Sequence, residues 1–428
     1  MQPPIGVPAI LDLKRQYLIP CLYHFYRTPP QIVRGQGVYL YDAEGKRYLD
    51  LFAGVSVHAL GHCHPEMVAA ITEQVQTLQH TTTIYLTEPI ARLAESLAAV
   101  LPGELRSTFF CASGSEANEG AALLAMLYTG RKGFVALTDG LHGRTRLGTN
   151  LTHIPMWRTD PHPPQDVVHV PRPNCRDCPF GKCAGSCSWE CVSAVEQAIL
   201  THPCGKPAAM FVEIVQGNGG INVAPAGYYP RLREVLDRHG CLLVADEVQT
   251  GFGRTGRMFA VEDEGIAPDI LTGGKALGGG TPIGFFSTTP HIAACYTRPG
   301  ASTFGGNPVT AVAGIAFLRI LQRDRLVERS AGLGAFLRSR LGRLTSRFDF
   351  VREVRGRGLM IGVEFAPRGE TPAAAVLDIV LEKLKDRGYL LGKTGASRNV
   401  LAWMPPLIVS PEQLEEAADA LESVFQTL

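Results

Sequence analysis

The order of apolar and polar residues changes character along the chain. Near the N-terminus, GVYLYDAEGKRYLDLF (37–52) alternates apolar and polar positions on both sides of a turn at Asp42 to Gly45, which predicts an antiparallel hairpin. From about residue 108 the pattern becomes a series of short apolar runs separated by helical stretches, among them STFFC, GFVAL, AAMFVEI, CLLVAD and DILT. Continuous apolar strands that alternate with helices predict a mostly parallel sheet with both faces covered.

The C-terminal stretch SPEQLEEAADALESVFQTL (410–428) starts with a capping box and continues with an apolar stripe, so it predicts a packed helix. We therefore expect an α/β protein. Its large domain, 61–305, has a mostly parallel central sheet sandwiched by helices and contains a Pro- and Cys-rich insertion at 161–191. A smaller α+β domain is formed by the N-terminal segment 1–60 and the C-terminal part 306–428.

Composition narrows the class of protein. The chain has 428 residues, 45% of them hydrophobic, which is enough for a full globular core. Its 41 basic and 40 acidic residues give a formal net charge of +1, which favours a small-molecule partner over nucleic acid or a membrane surface. The N-terminal stretch lacks an export signal and no stretch approaches the roughly 20 apolar residues that span a bilayer, so we expect a cytoplasmic protein.

Polar residues that follow the apolar runs are the candidates for chemistry, because ligands collect at the carboxyl ends of parallel strands. The first place is Ser113, Gly114 and Ser115, between a strand and an Ala-rich helix. The free N–H groups and the dipole at a helix N-terminus suit a phosphate group. An ordinary capped helix explains the same residues, so both interpretations stay open.

The other two places hold an acid and a base. Asp246 ends the run CLLVAD, where a buried carboxylate is costly unless it meets a cation or several donors. Lys275 lies in DILTGGKALGGG, which is not a P-loop, because that motif needs glycine in place of Asp269 and Ser or Thr in place of Ala276. We expect its glycines to let backbone and ligand approach the lysine, whose loss of solvation lowers the pKa and frees the amine to react.

A phosphate anchor, a buried carboxylate and a reactive amine are together what pyridoxal 5′-phosphate (PLP) requires. This cofactor needs a lysine for its Schiff base and an acid that keeps its pyridine nitrogen protonated. We therefore expect a PLP enzyme in which Lys275 and Asp246 are the catalytic residues.

From about residue 30 to its end, the chain resembles the class III, or ω-aminotransferase, family of fold-type I PLP enzymes. Seven segments carry the resemblance in family order: GHCHPEM (61–67), SGSEANE (113–119), LHGRT (141–145), LLVADEVQTGFGRTG (242–256), DILTGGKALGGG (269–280), STFGGNP (302–308) and VRGRGLMIGVE (354–364).

The resemblance implies eight residues around the cofactor: Gly114, Ser115, Leu141, His142, Asp246, Gln249, Lys275 and Thr303. By this resemblance Lys275 forms the Schiff base and shuttles a proton, and Asp246 pairs with the pyridine nitrogen. Gln249 takes the position that bonds the ring hydroxyl in the family, and Leu141 stands where many members have an aromatic ring. Thr303 of a neighbouring subunit completes the phosphate site, which implies a homodimer. Glu213 matches a family acid near the cofactor, with a structural role equally open.

Two substrate-site positions depart from the family pattern. Members that accept 2-oxoglutarate often use an arginine three residues before a Pro-Pro pair, held aside by a glutamate after a Gln-Gly; here these positions are Ala402 and Asn218. The loss of both predicts a small acceptor such as pyruvate or glyoxylate. Arg398 is the candidate for the substrate carboxylate, with an exposed loop arginine as the alternative. Tyr85 resembles a substrate-pocket position, and a core or interface position is equally open.

Five cysteines, Cys175, Cys178, Cys183, Cys187 and Cys191, have a spacing compatible with a four-thiolate zinc site, with reduced and partly buried thiols as the alternative. We expect an aminotransferase that moves an amino group from an amine or amino acid, of ω-amino acid or alanine-like type, to a small 2-oxo acid. A racemase or aminomutase of the same family is the alternative, and a lyase is a further one.

Overall fold

The structure, a computed structural model, describes residues 4–182 and 186–428. Its α-helices are α1 (Val7–Tyr17), α2 (Ala53–Ser56), α3 (Pro65–Thr77), α4 (Glu88–Ala98), α5 (Gly114–Thr129), α6 (Arg146–Leu151), α7 (Glu190–Leu200), α8 (Tyr228–His239), α9 (Pro290–Ala293), α10 (Pro308–Arg323), α11 (Leu326–Gly342), α12 (Ala373–Asp386) and α13 (Pro411–Gln426). Its strands are β1 (Ile32–Gln36), β2 (Tyr39–Asp42), β3 (Arg47–Asp50), β4 (Ser107–Cys111), β5 (Phe134–Leu137), β6 (Val167–Val170), β7 (Ala209–Val212), β8 (Val215–Gln216), β9 (Asn222–Val223), β10 (Leu242–Asp246), β11 (Ile270–Gly274), β12 (Gly284–Thr288), β13 (Val351–Arg357), β14 (Met360–Phe365), β15 (Tyr389–Leu390), β16 (Gly392–Thr394) and β17 (Val400–Trp403).

Seven strands form the large central sheet, in the order β4-β12-β11-β10-β7-β5-β6. The pairs from β11 to β6 are all parallel, whereas β12 is antiparallel to both of its neighbours, β11 and β4. The mostly parallel sheet predicted from the short apolar runs is therefore confirmed.

Both faces of this sheet are covered, as alternate side chains of β7 show. Met210 and Val212 belong to the apolar cluster that includes α7, α8 and α10. Ala209 and Phe211 belong to a second cluster, on the α5 side. Successive residues of a strand point to opposite faces, so the sheet lies between two helical layers and its strands are apolar throughout.

The N- and C-terminal parts of the chain share a smaller sheet, β1-β2-β3-β15. The predicted hairpin is present as the antiparallel pair β2 and β3, and β15 joins β3 in parallel. The C-terminal part also forms an antiparallel sheet, β13-β14-β17-β16. The domain limits expected from the sequence remain predictions. In the described part of the chain, no helix is both long and apolar enough to cross a membrane.

Two glycines of α11 test how tightly this helix packs. A methyl group at Gly334 would overlap the backbone carbonyl of Gly358, between β13 and β14, whereas one at Gly332 would meet no atom. Gly334→Ala should therefore lower the free energy of unfolding by about 1–3 kcal/mol through overpacking. The matched control Gly332→Ala should raise it by up to about 1 kcal/mol, since alanine favours a helix. Denaturant titration measures both, and equal effects would contradict the packing described.

Candidate active site

The loops after β4, β7, β10 and β11 leave the large sheet at its carboxyl edge. Ser113, Glu213 and Lys275 lie in three of these loops and Asp246 ends β10, so the fold gathers the residues that the sequence placed at the ends of apolar runs. The remaining geometry shows which of them interact.

Lys275 starts a short 3₁₀ turn, Lys275–Gly278, directly after β11. Its φ of 42° lies in the left-handed region, a conformation that costs a non-glycine residue about 1–3 kcal/mol and is typical of functional sites. Burial lowers the pKa of its amine, against the opposing charges of Asp246 and Glu213. In the part of the chain that the structure describes, its Nζ has no hydrogen-bond or ion-pair partner, so the amine is available to a ligand.

The glycines around Lys275 serve the packing of the protein. A methyl group at Gly273 would overlap the ring of Phe285, and one at Gly279 would press on Met67. The expectation that these glycines mainly admit a ligand is therefore incomplete, because the protein's own side chains occupy the space that they leave.

Asp246 ends β10 and is almost fully buried. Its Oδ2 accepts hydrogen bonds from Nδ2 of Asn118 and from the Nδ1 side of His142, both at 2.8 Å, and its Oδ1 accepts one from the amide of Val248 at 3.2 Å. Burial alone raises the pKa of this carboxyl, but the hydrogen bond and the charge of His142, with Asn118, outweigh it and lower the pKa. Asp246 is thus held as a carboxylate, which is the state that a protonated pyridine nitrogen requires.

His142 is the buried partner of Asp246. Burial lowers its pKa, but the hydrogen bond and the charge of Asp246 reverse the effect and leave the pKa raised. Its ring packs edge-on against Phe211, with the centroids 5.9 Å apart.

Asn118 links three elements, a role that was not predicted from the sequence. From the second turn of α5 it donates to Asp246 and to the carbonyl of His142, and it accepts from the hydroxyl of Thr272 in β11 at 2.8 Å. The sequence contained one indication of this role, a single amide side chain in an Ala-rich helix. Burying such an amide is costly unless it is hydrogen-bonded.

The predicted phosphate anchor lies at the N-terminus of α5. Ser113 caps the helix by accepting from the amide of Glu116, and Ser115 Oγ accepts from the amide of Arg144 at 3.1 Å. Among the described residues, the amides of Gly114 and Ser115 have no acceptor. The helix is therefore both capped, as the simpler interpretation expected, and open to an anion at its first two amides.

Gln249 contacts the sulfur atom of Met404, which accepts hydrogen bonds from two side chains. Met404 Sδ accepts from Nε2 of Gln249 at 3.2 Å and from Oγ of Ser56 at 3.1 Å. Ser56 ends a turn of four consecutive left-handed residues, Ala53–Ser56, with φ from 49° to 66°. The sequence showed only one glycine in this turn, so its strained backbone was not foreseen.

Glu213 joins two loops through its carboxylate. Its Oε1 accepts from the amide of Leu141 at 2.8 Å and its Oε2 from the amide of Gly217 at 2.9 Å. Burial nevertheless raises the pKa of Glu213 to about 7. Because both oxygens already accept from backbone amides, the structural role of this acid is the one that the geometry supports.

The expected substrate residues occupy different surroundings. Arg398 is half-buried with a left-handed φ of 56°, its guanidinium lies 5.5 Å from the ring centre of Phe25, and within the described ranges it forms no ion pair. Tyr85, by contrast, is 67% exposed. Thr303 is also exposed, in a cavity of about 440 Å³ beside Ala112 and Glu116 at the start of α5.

Ala402 and Asn218, the two positions that depart from the family pattern, have different surroundings. Ala402 is fully buried in an apolar cluster with Val215, Ile221, Met360 and Met404. Asn218 Oδ1 accepts a hydrogen bond from the indole Nε1 of Trp157 at 3.0 Å. An arginine at 402 would therefore be buried among apolar side chains without an acid partner at 218.

Four of the five cysteines of the 161–191 segment line one cavity of about 260 Å³: Cys175, Cys178, Cys187 and Cys191. Cys183 lies outside the described residues. Burial and the neighbouring thiols raise the pKa of Cys175, and burial raises that of Cys191 to about 11. Across residues 4–182 and 186–428, no three His, Cys, Asp or Glu side chains are grouped so that they would hold a metal ion.

Comparison with known proteins agrees with this geometry. Residues 25–425 match the family model for aminotransferase class-III. The chain is 41% identical to an acetylornithine aminotransferase of Mycobacterium bovis, with 98% of both chains covered. It is 37% identical to the mitochondrial alanine–glyoxylate aminotransferase 2 homolog 2 of Arabidopsis thaliana, over 98% of this chain and 88% of the plant protein. It also superposes on a thermostable (S)-enantioselective omega-transaminase from Thermomicrobium roseum, with a TM-score of 0.89, 31% identity and 99% of both chains covered.

The fold and the site thus define a PLP enzyme of fold type I. More narrowly, the chain belongs to the class III aminotransferases. The described residues fit the cofactor: among them the amine of Lys275 has no partner, Asp246 is an ionised acid, and the amides of Gly114 and Ser115 have no acceptor and are open to its phosphate. When bound, PLP accepts the electrons that the substrate carbon releases when it loses a proton.

The raised pKa of Glu213 leads to a prediction about stability and pH. A folded-state pKa above the unfolded value contributes stability at low pH that is lost as the pH rises toward about 7. The unfolding free energy of the parent minus that of Glu213→Gln should therefore fall between pH 5 and 8, by at most about 1.4 kcal/mol per pH unit. Denaturant titrations measure this difference. A rise of this difference with pH would refute the assignment.

Proposed function

We propose that the protein transfers the amino group of an amine or amino acid, of ω-amino acid or alanine-like type, to a small 2-oxo acid such as pyruvate or glyoxylate. The observation that supports this choice is that Ala402 lies in a buried apolar cluster, where it cannot pair with the second carboxylate of 2-oxoglutarate as an arginine would. Burying that carboxylate without a partner would be costly. The plant relative is named for alanine and glyoxylate, and the mycobacterial one for acetylornithine.

Two residues carry the proton chemistry in this proposal. Lys275 holds the cofactor, and its Nζ then takes the proton from the substrate carbon and returns it to the cofactor carbon. Its lowered pKa supports this role, because only the neutral amine accepts a proton. Asp246, fixed by His142 and Asn118, keeps a negative charge beside the pyridine nitrogen.

Arg398 is the proposed site for the substrate carboxylate. A half-buried guanidinium without a carboxylate partner in the described chain is open to an anion. Its position over Phe25 limits the directions from which that anion approaches, because the ring shields one face of the guanidinium.

The reaction class itself is tested with PLP-loaded protein, a panel of amines and amino acids, and the acceptors pyruvate, glyoxylate and 2-oxoglutarate. The two short acceptors should give kcat/KM at least about tenfold above that for 2-oxoglutarate, the effect of one poorly paired charge. Lys275→Ala is the control and should lose turnover with every pair.

Other outcomes of this experiment distinguish the alternatives. Inversion of one amino acid without any acceptor would identify a racemase, and release of a keto product without an acceptor would identify a lyase. A preference for 2-oxoglutarate would contradict the proposed acceptor class.

The proposed assembly is a homodimer in which Thr303 of one subunit completes the phosphate site of the other. Large apolar side chains near this surface support it: Ile84, Leu86 and Phe304 are 82%, 100% and 60% exposed. Contiguous exposed apolar side chains of this kind mark protein interfaces. Tyr85 belongs to the same exposed segment as Ile84, so we place it at the interface.

Phe304→Asp tests the dimer. A charge at a buried interface position disfavours association, so this variant should shift to monomer in analytical ultracentrifugation and should retain less PLP after gel filtration. Leu200, at the end of α7, is equally exposed at 60% and provides the control: Leu200→Asp should remain dimeric. A dimeric Phe304→Asp variant with full cofactor content would contradict the proposed interface.

A further inference from the structure

The indole of Trp157 is fixed by an unusual partner. Its Nε1 donates to Asn218 Oδ1 at 3.0 Å, and the carbonyl of the same asparagine accepts from the amide of Gly395 at 2.9 Å and from the hydroxyl of Thr394 at 2.6 Å. Asn218 is therefore held through both its backbone and its side chain. The indole N–H is used in this bond, so only the apolar ring is left to face a ligand.

This asparagine lies next to the residues around the cofactor. It follows Gly217, where a methyl group would overlap the side-chain oxygen of Gln249. Gly217 also donates its amide to Glu213. The hydrogen bond that the indole donates to Asn218 thus places it one residue away from Gly217, which lies against Gln249.

The other side of the indole meets the N-terminal segment. The ring centre of Tyr23 lies 5.9 Å from that of Trp157 and 5.8 Å from that of Phe25, which lies under Arg398. The hydroxyl of Tyr26 and the carbonyl of Thr28 hold this segment to the carbonyl of Leu391 and the amine of Lys385. Trp157 is therefore confined between Asn218 and a row of aromatic rings that leads to Arg398.

We propose that Trp157 is a specificity-determining residue that limits the side-chain length of the 2-oxo acid, and that Asn218 is its positioning residue. The inference rests on the proposed function and names its substrate class: 2-oxo acids with short, uncharged side chains. A longer side chain would meet the ring of Trp157, which its hydrogen bond to Asn218 and its contact with Tyr23 hold in this position. A second carboxylate would lose water against an apolar surface without gaining a donor.

A neutral series of acceptors tests the proposal, because it separates length from charge. With PLP-loaded protein, kcat/KM is measured for pyruvate, 2-oxobutanoate, 2-oxopentanoate and 2-oxohexanoate. In the parent, kcat/KM should fall about tenfold for each methylene that the indole of Trp157 excludes. Asn218→Ala and Trp157→Phe, which each remove the hydrogen bond, should flatten this fall, and the double variant should resemble either single one. Asn218→Asp keeps an acceptor oxygen and should retain the steep fall.

A second readout does not depend on turnover. Propionate and pentanoate lack the oxo group, and their binding to PLP-loaded protein is followed by intrinsic tryptophan fluorescence. Asn218→Ala should raise the affinity for pentanoate relative to propionate by about tenfold.

The possible outcomes distinguish a failure of this inference from a failure of the proposed function. If the variants lower kcat/KM equally for all four acids, or if the single effects add, Asn218 has a structural role only and the proposal is wrong. If the parent transfers no amino group to any acceptor, the proposed function fails and the inference fails with it.

Discussion

The hydrogen bonds that Asp246 accepts from His142 and Asn118 are the interaction on which the site depends. Three acids of the site region are buried, Glu213, Asp246 and Glu247, but only Asp246 has its pKa lowered. Glu213 and Glu247 are satisfied by backbone amides, and Glu247 also by the hydroxyl of Thr250; these donors do not offset burial. Of the three, only Asp246 is hydrogen-bonded to a side chain that itself becomes charged, His142, and only its pKa is lowered.

A buried arginine links the loop after β10 to the C-terminal part of the chain through hydrogen bonds to backbone carbonyls. Arg254, in the loop after β10, is buried and donates to the carbonyls of Leu359 at 2.9 Å and Pro405 at 2.6 Å. Burial lowers its pKa to about 9. Pro405 follows Met404, whose sulfur accepts from Gln249 and Ser56. The strand that carries Asp246, the C-terminal sheet and the left-handed turn near the N-terminus therefore form one connected structure.

Residue chemistry and periodicity predicted much of this. The apolar runs predicted the sheet, and the polar residues at their ends, Asp246 and Lys275, are brought to one edge as expected. Resemblance to the class III motifs added Gln249 and Thr303, whose roles remain predictions. What could not be predicted depends on contacts between distant segments: Asn118 needs β10 and β11 beside it to have a role.

The contact between Trp157 and Asn218 is a second example of an interaction between distant segments that the sequence could not predict. The sequence showed that an acid was missing at 218, but not that the asparagine would hold an indole 61 positions away. The glycines around Lys275 were interpreted through the lysine alone, whereas Phe285 and Met67 also require them. Residues that act through their own chemistry can be recognised in the sequence more readily than residues that act through a neighbour.

The antiparallel strand β12 gives the site a fixed dimension. Its first residue, Gly284, pairs with Cys111 at the end of β4 on one side and with Gly274 at the end of β11 on the other. The carboxyl end of β12 lies at the opposite edge of the sheet, so this strand separates the anion site after β4 from the lysine after β11 by two strand spacings, roughly 10 Å. The distance that a ligand must span to touch both the anion site and the lysine is therefore set by backbone hydrogen bonding. Side-chain substitutions leave this distance unchanged.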